Sequence, residues 1–357
     1  MEQNWINEAF NGELPEPFHG GVKWQSPSNI ALVKYWGKRG VQLPQNPSIS
    51  FTLSQCRTET SIFFEKSDRF GLSFYFDGKA NPTFQSKIEN FILGHIDYFP
   101  FLNQLDLRIQ SRNTFPHSSG IASSASSMSA LVTCLLDIER MAKGDKVIDM
   151  RKASYFSRLA SGSACRSLFP KMALWGMMDS VPDSADDYAI TLENDIAPIF
   201  KNYHDSILIV SGDEKAVSSR SGHALMDTNP YASVRYEVAR KDCEDLLAAL
   251  KTGDLERFIQ ITESEAMQLH ALMMCSEPSF VLMKPTTLKI IQLVREFRAE
   301  TDIPVCFTLD AGPNVHVLYP DHEAELVERF IMDELERYCF GSQWIPDKVG
   351  NGPSSIH

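Results

Sequence analysis

Thr114-Phe-Pro-His-Ser-Ser-Gly-Ile-Ala-Ser-Ser-Ala-Ser-Ser127 is almost wholly small and polar, and it separates two segments of different periodicity. Before it, Gln104–Gln110 alternates: Leu105, Leu107 and Ile109 face one way, Asp106 and Arg108 the other, which predicts a strand. After it, Met128, Leu131, Val132, Leu135, Ile138 and Met141 recur at helical spacing. A strand thus feeds a Gly/Ser turn that opens a helix. Backbone N–H groups at a helix start, with the helix dipole, form an anion site suited to phosphate. Hydroxyls at Ser118, Ser119, Ser123 and Ser124 add donors and a candidate magnesium ligand. One or two serines would be met by an ordinary helix cap, but a run of them around Gly120 favours phosphate. No Gly-x-x-x-x-Gly-Lys-Ser/Thr pattern occurs, so the loop says phosphate without naming a reaction.

Around this loop lies a chain of 357 residues, 43% hydrophobic and 22% charged, as expected of a soluble globular protein, and its length suits two domains or one large one. A formal net charge of −12 argues against a nucleic-acid or anionic-membrane surface, both of which call for a basic footprint. No apolar run approaches the roughly 20 residues of a membrane helix. The start, Met-Glu-Gln-Asn-Trp, has no signal-peptide pattern. Seven scattered cysteines without a Cys-x-x-Cys pair fit reduced thiols in a cytoplasm.

In chain order, residues 1–21 read as a weakly structured lead-in. Strands are expected at Ile30–Val33, Ser48–Leu53, Ser61–Phe64 and Leu72–Phe76, and a helix over 83–99. Past the phosphate loop and its helix, a short helix is expected at Arg151–Ala160 and a strand at Met172–Gly176. The acidic, turn-rich stretch 179–204 leads to a domain boundary near 204, just before the apolar strand Ser206–Val210. Helices then dominate: one from Asn229-Pro230 to Lys251, others over 254–273, 285–300 and about 321–338, with strands at 304–309 and 315–319. The tail 341–357 reads as loose. The class is α+β, divided into an N-terminal domain 22–204 and a C-terminal domain 205–340.

Four clusters could carry chemistry. Asn29-Ile-Ala-Leu-Val-Lys34-Tyr35-Trp36-Gly37-Lys38-Arg39 places cations and aromatics at the mouth of an apolar strand, although lysines protecting a strand edge would look the same. Ser161-Gly-Ser163-Ala-Cys-Arg166-Ser surrounds one guanidinium with small residues, and arginine grips carboxylate or phosphate with two bonds in a fixed plane. A turn with a surface arginine is the plainer reading. Val217-Ser-Ser219-Arg220-Ser-Gly-His223 is a second hydroxyl-plus-arginine cluster. Phe307-Thr-Leu-Asp310-Ala-Gly-Pro-Asn314 ends a strand on a carboxylate, placed either as a base towards a bound hydroxyl or as a simple turn former. Taken together, one carboxylate, several cations and a phosphate loop match an enzyme that moves a phosphoryl group onto an anionic substrate. Cys165, with His117 or His223 as partner, could be read as a nucleophile, but a packed thiol suits its surroundings better. The Met267–Met274 stripe reads as helix core.

These clusters, with Pro-Ser-Ile-Ser-Phe-Thr-Leu at 47–53, resemble in content and order the mevalonate diphosphate decarboxylases of the GHMP kinase superfamily. The likeness spans most of residues 22–320. It implies an α+β two-domain GHMP kinase-like fold, with a ribosomal protein S5 domain 2-like N-terminal half, a helix-rich ferredoxin-like C-terminal half, and an active site in the cleft between them. It implies ATP with Mg2+ as cofactors, mevalonate 5-diphosphate as substrate, and products isopentenyl diphosphate, ADP, phosphate and carbon dioxide, in isoprenoid biosynthesis. A cytoplasmic homodimer is expected. By position, the resemblance makes Asp310 the base facing the 3-hydroxyl, puts Lys34 near the charge it develops, and has Arg166 and Asn29 orient the carboxylate. Tyr35, Lys38, Ser161, Ser163, Ser219 and Arg220 would hold the diphosphate. Pro116, His117, Ser118, Ser119, Gly120, Ile121, Ala122, Ser123 and Ser124 would hold ATP phosphates, with Ser124 towards the metal. His117-Ser118-Ser119 departs from the family's commoner Thr-Ala-Ala, and His223 stands where Met is usual. The neighbouring readings are a decarboxylase of mevalonate 5-phosphate, another small-molecule kinase of the superfamily, and a catalytically silent metabolite-binding protein.

Overall fold

The computed structural model describes residues 8–116, 121–212 and 219–356, so His117, Ser118, Ser119 and Gly120 lie outside the described residues, as do the side chains of Ser219 and Arg220. In chain order the N-terminal half comprises β1 (His19–Ala31), the small hairpin β2 (Lys38–Arg39) and β3 (Leu43–Pro44), β4 (Ser48–Lys66), β5 (Gly71–Phe76), β6 (Lys79–Ala80), α1 (Pro82–Gly94), β7 (Leu105–Asn113), α2 (Ser123–Lys143), α3 (Met150–Ala160), β8 (Met172–Trp175) and β9 (Ala189–Thr191). The C-terminal half comprises β10 (His204–Leu208), α4 (Ser219–Ala224), α5 (Ala232–Thr252), α6 (Leu255–Met274), α7 (Pro285–Thr301), β11 (Cys306–Leu309), β12 (Val315–Tyr319), α8 (Ala324–Phe330), β13 (Trp344–Lys348) and β14 (Ser354–Ser355).

Two sheets carry the architecture. The first runs β14-β1-β4-β7-β5-β6, with β8 on β4 and β9 on β8; the second runs β11-β12-β10-β13 and is antiparallel throughout. Only the β5–β7 pair of the first sheet is parallel. The period-two reading of β7 holds: Leu105, Leu107 and Ile109 are buried, with Asp106 and Arg108 exposed between them. Those three side chains pack with Ile62 and Phe64 of β4 against Leu131, Val132, Leu135 and Ile138 of α2. Burying each such side chain is worth about 1.5–3 kcal/mol. Part of the serine run serves this contact: Ser126 bonds Thr58 at 2.7 Å and Ser129 bonds Ser26 at 2.5 Å. Small side chains let α2 lie close to the sheet.

Several expectations are corrected. The segments Ser48–Leu53 and Ser61–Phe64 are parts of one 19-residue strand, β4. Its first part pairs with β8 and the end of β1, its second with β7 and the start of β1. The expected strand Ile30–Val33 is the end of the longer β1, which stops at Ala31. The lead-in is not loose over its described part, because Leu14 and Phe18 are buried in the first core and the Leu14 N–H donates to Gln104 Oε1 at 3.1 Å. The expected final helix is broken into 3-10, α and π turns between Asp321 and Tyr338.

The tail is the largest correction. Instead of hanging free, 341–357 supplies β13 to the second sheet and β14 to the first. The Asp347 carboxylate accepts backbone N–H bonds from Ser54, Gln55 and Cys56, each at 2.8 Å. Gly350 bonds Thr52 O at 2.7 Å, and a Cβ there would lie 2.5 Å from Leu53 O, so only glycine fits. One core is continuous across the halves, joining Ile30, Phe51 and Leu53 to Ile207, Ile209, Leu246 and Phe258. Another fills the far face of the second sheet with Ile290, Val294, Phe330 and Ile331.

Candidate active site

β1 shifts register between Pro27 and Asn29 against β4. Such an irregularity re-aims the side chains beyond it, and Asn29 follows at once. Its Nδ2 donates to Ser167 Oγ at 2.8 Å and Ser163 O at 3.2 Å, while its Oδ1 accepts from Arg166 Nε at 3.3 Å. Arg166 sits on the 3-10 turn Gly162–Leu168 after α3; it also donates to Ser48 Oγ, and its guanidinium lies 5.8 Å from the Trp175 ring centre. Sequence reading passed over Ser48 and Trp175, which fix this guanidinium.

Lys34 lies three residues past β1, with 1% of its surface exposed, and Nζ donates to Ala31 O at 2.6 Å. Burial pulls its pKa down to about 8, against the opposing pull of the Asp310 and Glu265 carboxylates and with help from Arg166. Burial lowers Arg166 as well. Asp310 ends β11 on a turn closed by Gly312 N–H to Asp310 O at 2.7 Å, and its side chain is half-buried. Among the described residues no carboxylate lies in salt-bridge contact with Lys34 or Arg166. Two buried cations held without a contact anion form a site that calls for an anionic ligand.

Tyr35, Ser161, Ser163 and Lys38 rim this centre. The Tyr35 hydroxyl is buried without a partner among the described residues, and a Cβ at Gly162 would lie 2.8 Å from it. Gly162 makes way for this hydroxyl, and a buried unmet hydroxyl is a donor in want of an acceptor. Ser161 and Ser163 are half-buried on either side of that glycine, and Lys38 donates to Gln42 Oε1 at 3.2 Å. The His223 departure is accommodated: its ring lies 4.4 Å from Tyr35 and 4.7 Å from Trp36, and Nδ1 accepts the Gly37 N–H at 3.0 Å. Burial, and next Lys38, push its pKa down to about 3, so the ring is neutral. Gly37 is required there: its φ is +91°, and a Cβ would fall 2.2 Å from the Tyr236 hydroxyl.

The described part of the phosphate loop approaches this site through Ser28, whose Oγ donates to Ile121 O at 2.5 Å. Ala122 is left-handed (φ 44°), and among the described residues no side chain caps the start of α2. The Ala125 N–H closes the first turn on Ala122 O at 2.8 Å, and the N–H groups of Ser123 and Ser124 stand at the start of a 21-residue helix suited to phosphate oxygens, with the exposed Ser124 side chain beside them. No group of three or more His, Cys, Asp or Glu suited to a metal occurs among the described residues. The exposed Ser124 hydroxyl is a hard oxygen donor of the kind magnesium takes together with ligand phosphates and water. Pro116 is exposed just before the loop.

Cys165 is fully buried, donates to Gly162 O at 3.0 Å and is pushed up to about 12 by burial, so it is a packed thiol. Leu269, Leu272 and Met273 of the Met-rich stripe are core, whereas Met274 is exposed. A separate groove of about 900 Å³, lined by Leu192, Asp195, Leu247 and Lys251 among others, holds none of the candidate residues. Among the described residues no helix is long and apolar enough to cross a membrane.

The mixed sheet, the antiparallel second sheet with its helices and the cationic pocket define a two-domain α+β protein of the GHMP kinase kind. Residues 26–188 match the diphosphomevalonate decarboxylase-like N-terminal domain, and residues 206–351 match the mevalonate 5-diphosphate decarboxylase C-terminal domain. The chain is 33% identical to the diphosphomevalonate decarboxylase of Candida albicans over 85% of each chain. It is 30% identical to that of Ganoderma lucidum over 92% of this chain and 87% of the relative. A mevalonate diphosphate decarboxylase from Staphylococcus aureus superposes with a TM-score of 0.80 at 26% identity, covering 95% of this chain and 99% of the other. A complex described as MDDEF with MVAPP, AMPPCP and magnesium superposes with a TM-score of 0.79 at 28% identity, covering 95% and 100%. The chain belongs to the diphosphomevalonate decarboxylase family. The C-terminal match reaches residue 351, so most of the tail first read as loose belongs to that domain.

Proposed function

We propose that the protein converts mevalonate 5-diphosphate and ATP to isopentenyl diphosphate, ADP, phosphate and carbon dioxide. The observation that carries this reading is the buried Lys34–Arg166 pair, held without a contact carboxylate among the described residues and facing Asp310 electrostatically. Magnesium-ATP supplies the phosphoryl group for the substrate's 3-hydroxyl. Asp310 accepts the hydroxyl proton as the oxygen attacks, and Lys34 holds the neighbouring negative charge. Arg166 and Asn29 orient the substrate carboxylate so that its C–C bond lies in line with the departing phosphate. When the C–O bond breaks, the C–C electron pair forms the double bond and carbon dioxide leaves. Once it has released the accepted proton to solvent, the Asp310 carboxylate stabilises positive charge at the tertiary carbon.

Tyr35, Lys38, Ser161, Ser163, Ser219 and Arg220 receive the diphosphate, and 116–124 receive ATP phosphates, with Ser124 towards magnesium. A cytoplasmic homodimer is the expected setting. The test is a coupled assay for ADP and carbon dioxide from mevalonate 5-diphosphate. Equal yields of both support the reading; ADP alone makes the protein a kinase, and neither makes it a binding protein.

A further inference from the structure

Neither candidate catalytic group is held only by its own loop. The Lys34 N–H donates to Glu265 Oε2 at 2.8 Å, and Glu265 also accepts two bonds from Arg235 of α5, at 2.6 and 2.5 Å. Arg235 reaches round to Lys34 O at 3.5 Å, and Asn46 Nδ2 bonds the same carbonyl at 3.1 Å. Glu265 has no exposed surface, and Arg235 only 4%. Burying this pair is costly, and among the described residues Arg235 Nε stays without a partner while one bond of Glu265 is spent on the main chain of Lys34.

Five residues further along the same helix, His270 Nε2 lies 3.1 Å from Asp310 O. Its partner is a carbonyl, so Nε2 carries the hydrogen and donates it. The residues next to the catalytic pair pack there too, since Trp36 and Ala311 share an apolar cluster with Leu269, Leu272 and Met273 of α6. Five residues of helix fix an axial step of about 7.5 Å and a turn of about 140°. One rigid element thus ties the strand mouth of the first sheet to a turn of the second.

We propose that α6 is the positioning element of the reaction, with Glu265 setting Lys34 and His270 setting Asp310 through their main chains. The inference rests on the assignment of Lys34 and Asp310 made above. It explains a buried ion pair and a buried imidazole that the reaction itself does not use. Electrostatics agree with the geometry. The groups acting on Lys34 are Asp310 from β11, Glu265 from α6, Arg166 from the 3-10 turn, and Asp205 from β10. Asp205 is itself paired with His316 of β12 at 2.8 Å, and Glu265 is faced by Arg235 and Asp242 of α5. Burial holds His270 down to about 4, so it stays a neutral donor across the working range.

The test has two arms. His270→Phe keeps a flat ring but removes the donor, and His270→Gln restores an N–H at nearly the same reach. The expected result is a kcat at least tenfold lower for His270→Phe, KM for mevalonate 5-diphosphate within about threefold, and most of kcat recovered in His270→Gln. Wild-type kcat in His270→Phe, or a loss in KM alone, overturns the proposal. The second arm needs no substrate: the ε-carbon of Lys34 is titrated by 13C NMR in wild type and Glu265→Gln. Loss of the carboxylate should move the Lys34 titration to lower pH, and an unmoved titration in the folded variant overturns the role of Glu265. A wild-type protein inactive on mevalonate 5-diphosphate would sink the assignment of the reaction, while the titration would still decide the contact. If Glu265→Gln fails to fold, the His270 series decides.

Discussion

Burial pulls the Lys34 ammonium down to about 8, while the Asp310 and Glu265 carboxylates pull it back. The folded group therefore loses its proton at lower pH than an exposed lysine would, and a role in stabilising negative charge requires the protonated form. We expect kcat/KM to fall as pH rises through about 8, with a slope of one proton. Bound anionic substrate favours the ammonium, so the corresponding limb of kcat should lie at higher pH. A Lys34→Arg variant should lose this limb; a fall at the same pH in the variant would assign it to another group. Asp310 acts by charge in the transition state, so Asp310→Asn should lower kcat by roughly three orders of magnitude or more, at the upper end of general-base effects. Substrate binding should stay within about tenfold. Single-turnover assays with a separate measurement of Kd check both, and a folded Asp310→Asn protein with wild-type kcat removes the carboxylate from the mechanism.

At the scale of the element, α2 starts without a side-chain cap among the described residues and presents Ser124 to solvent. Ser124→Ala should cost several-fold or more in kcat/KM for ATP, because a hydroxyl beside the phosphates and magnesium is lost. An effect confined to affinity for the mevalonate ligand would move the loop to the other substrate. The strand–turn–helix around this loop was legible because β7 and α2 each bury one face, and each keeps its own period in the sequence. The tail was not legible. β14 is two residues long, and β13 and β14 are held by partners far away in the chain: β1, β10 and the N–H groups of 54–56. Such contacts leave no periodic trace. Glu265 and His270 were missed for a related reason, since on an amphipathic helix a buried carboxylate has the same spelling as a solvated one. Asp347→Ala would leave four backbone N–H groups, those of Ser54, Gln55, Cys56 and Lys348, without their acceptor, at about 1–3 kcal/mol each before relaxation. We expect a loss of about 3–5 kcal/mol in urea unfolding. A change under 1 kcal/mol would mean that the tail is not a structural tie.

Across the whole molecule, an acidic chain of net charge −12 would meet two highly anionic ligands, on the proposed assignment, through the region around Lys34 and Arg166. The resemblance that assigned Lys38, Ser219 and Arg220 to the diphosphate drew on matching positions rather than on contacts, and the specificity it implies can be measured. If those groups converge on the 5-diphosphate, mevalonate 5-phosphate leaves at least two charge-assisted bonds unmade, each worth about 1.5–3 kcal/mol. After a discount for solvent at the half-buried Lys38, the preference for diphosphate should be roughly a hundredfold or more in kcat/KM. Arg220→Ala should narrow that ratio by hurting the diphosphate more than the monophosphate. The loss should lie mainly in KM, because Arg220 is assigned to a remote part of the substrate and not to the reacting carbon. The measurement is kcat/KM for both substrates in wild type and in Arg220→Ala. Equal wild-type values would make the protein a monophosphate decarboxylase and leave the Asp310 chemistry as it stands. An unchanged ratio in the variant would take Arg220 out of the diphosphate site and leave Tyr35, Lys38, Ser161 and Ser163 to carry it.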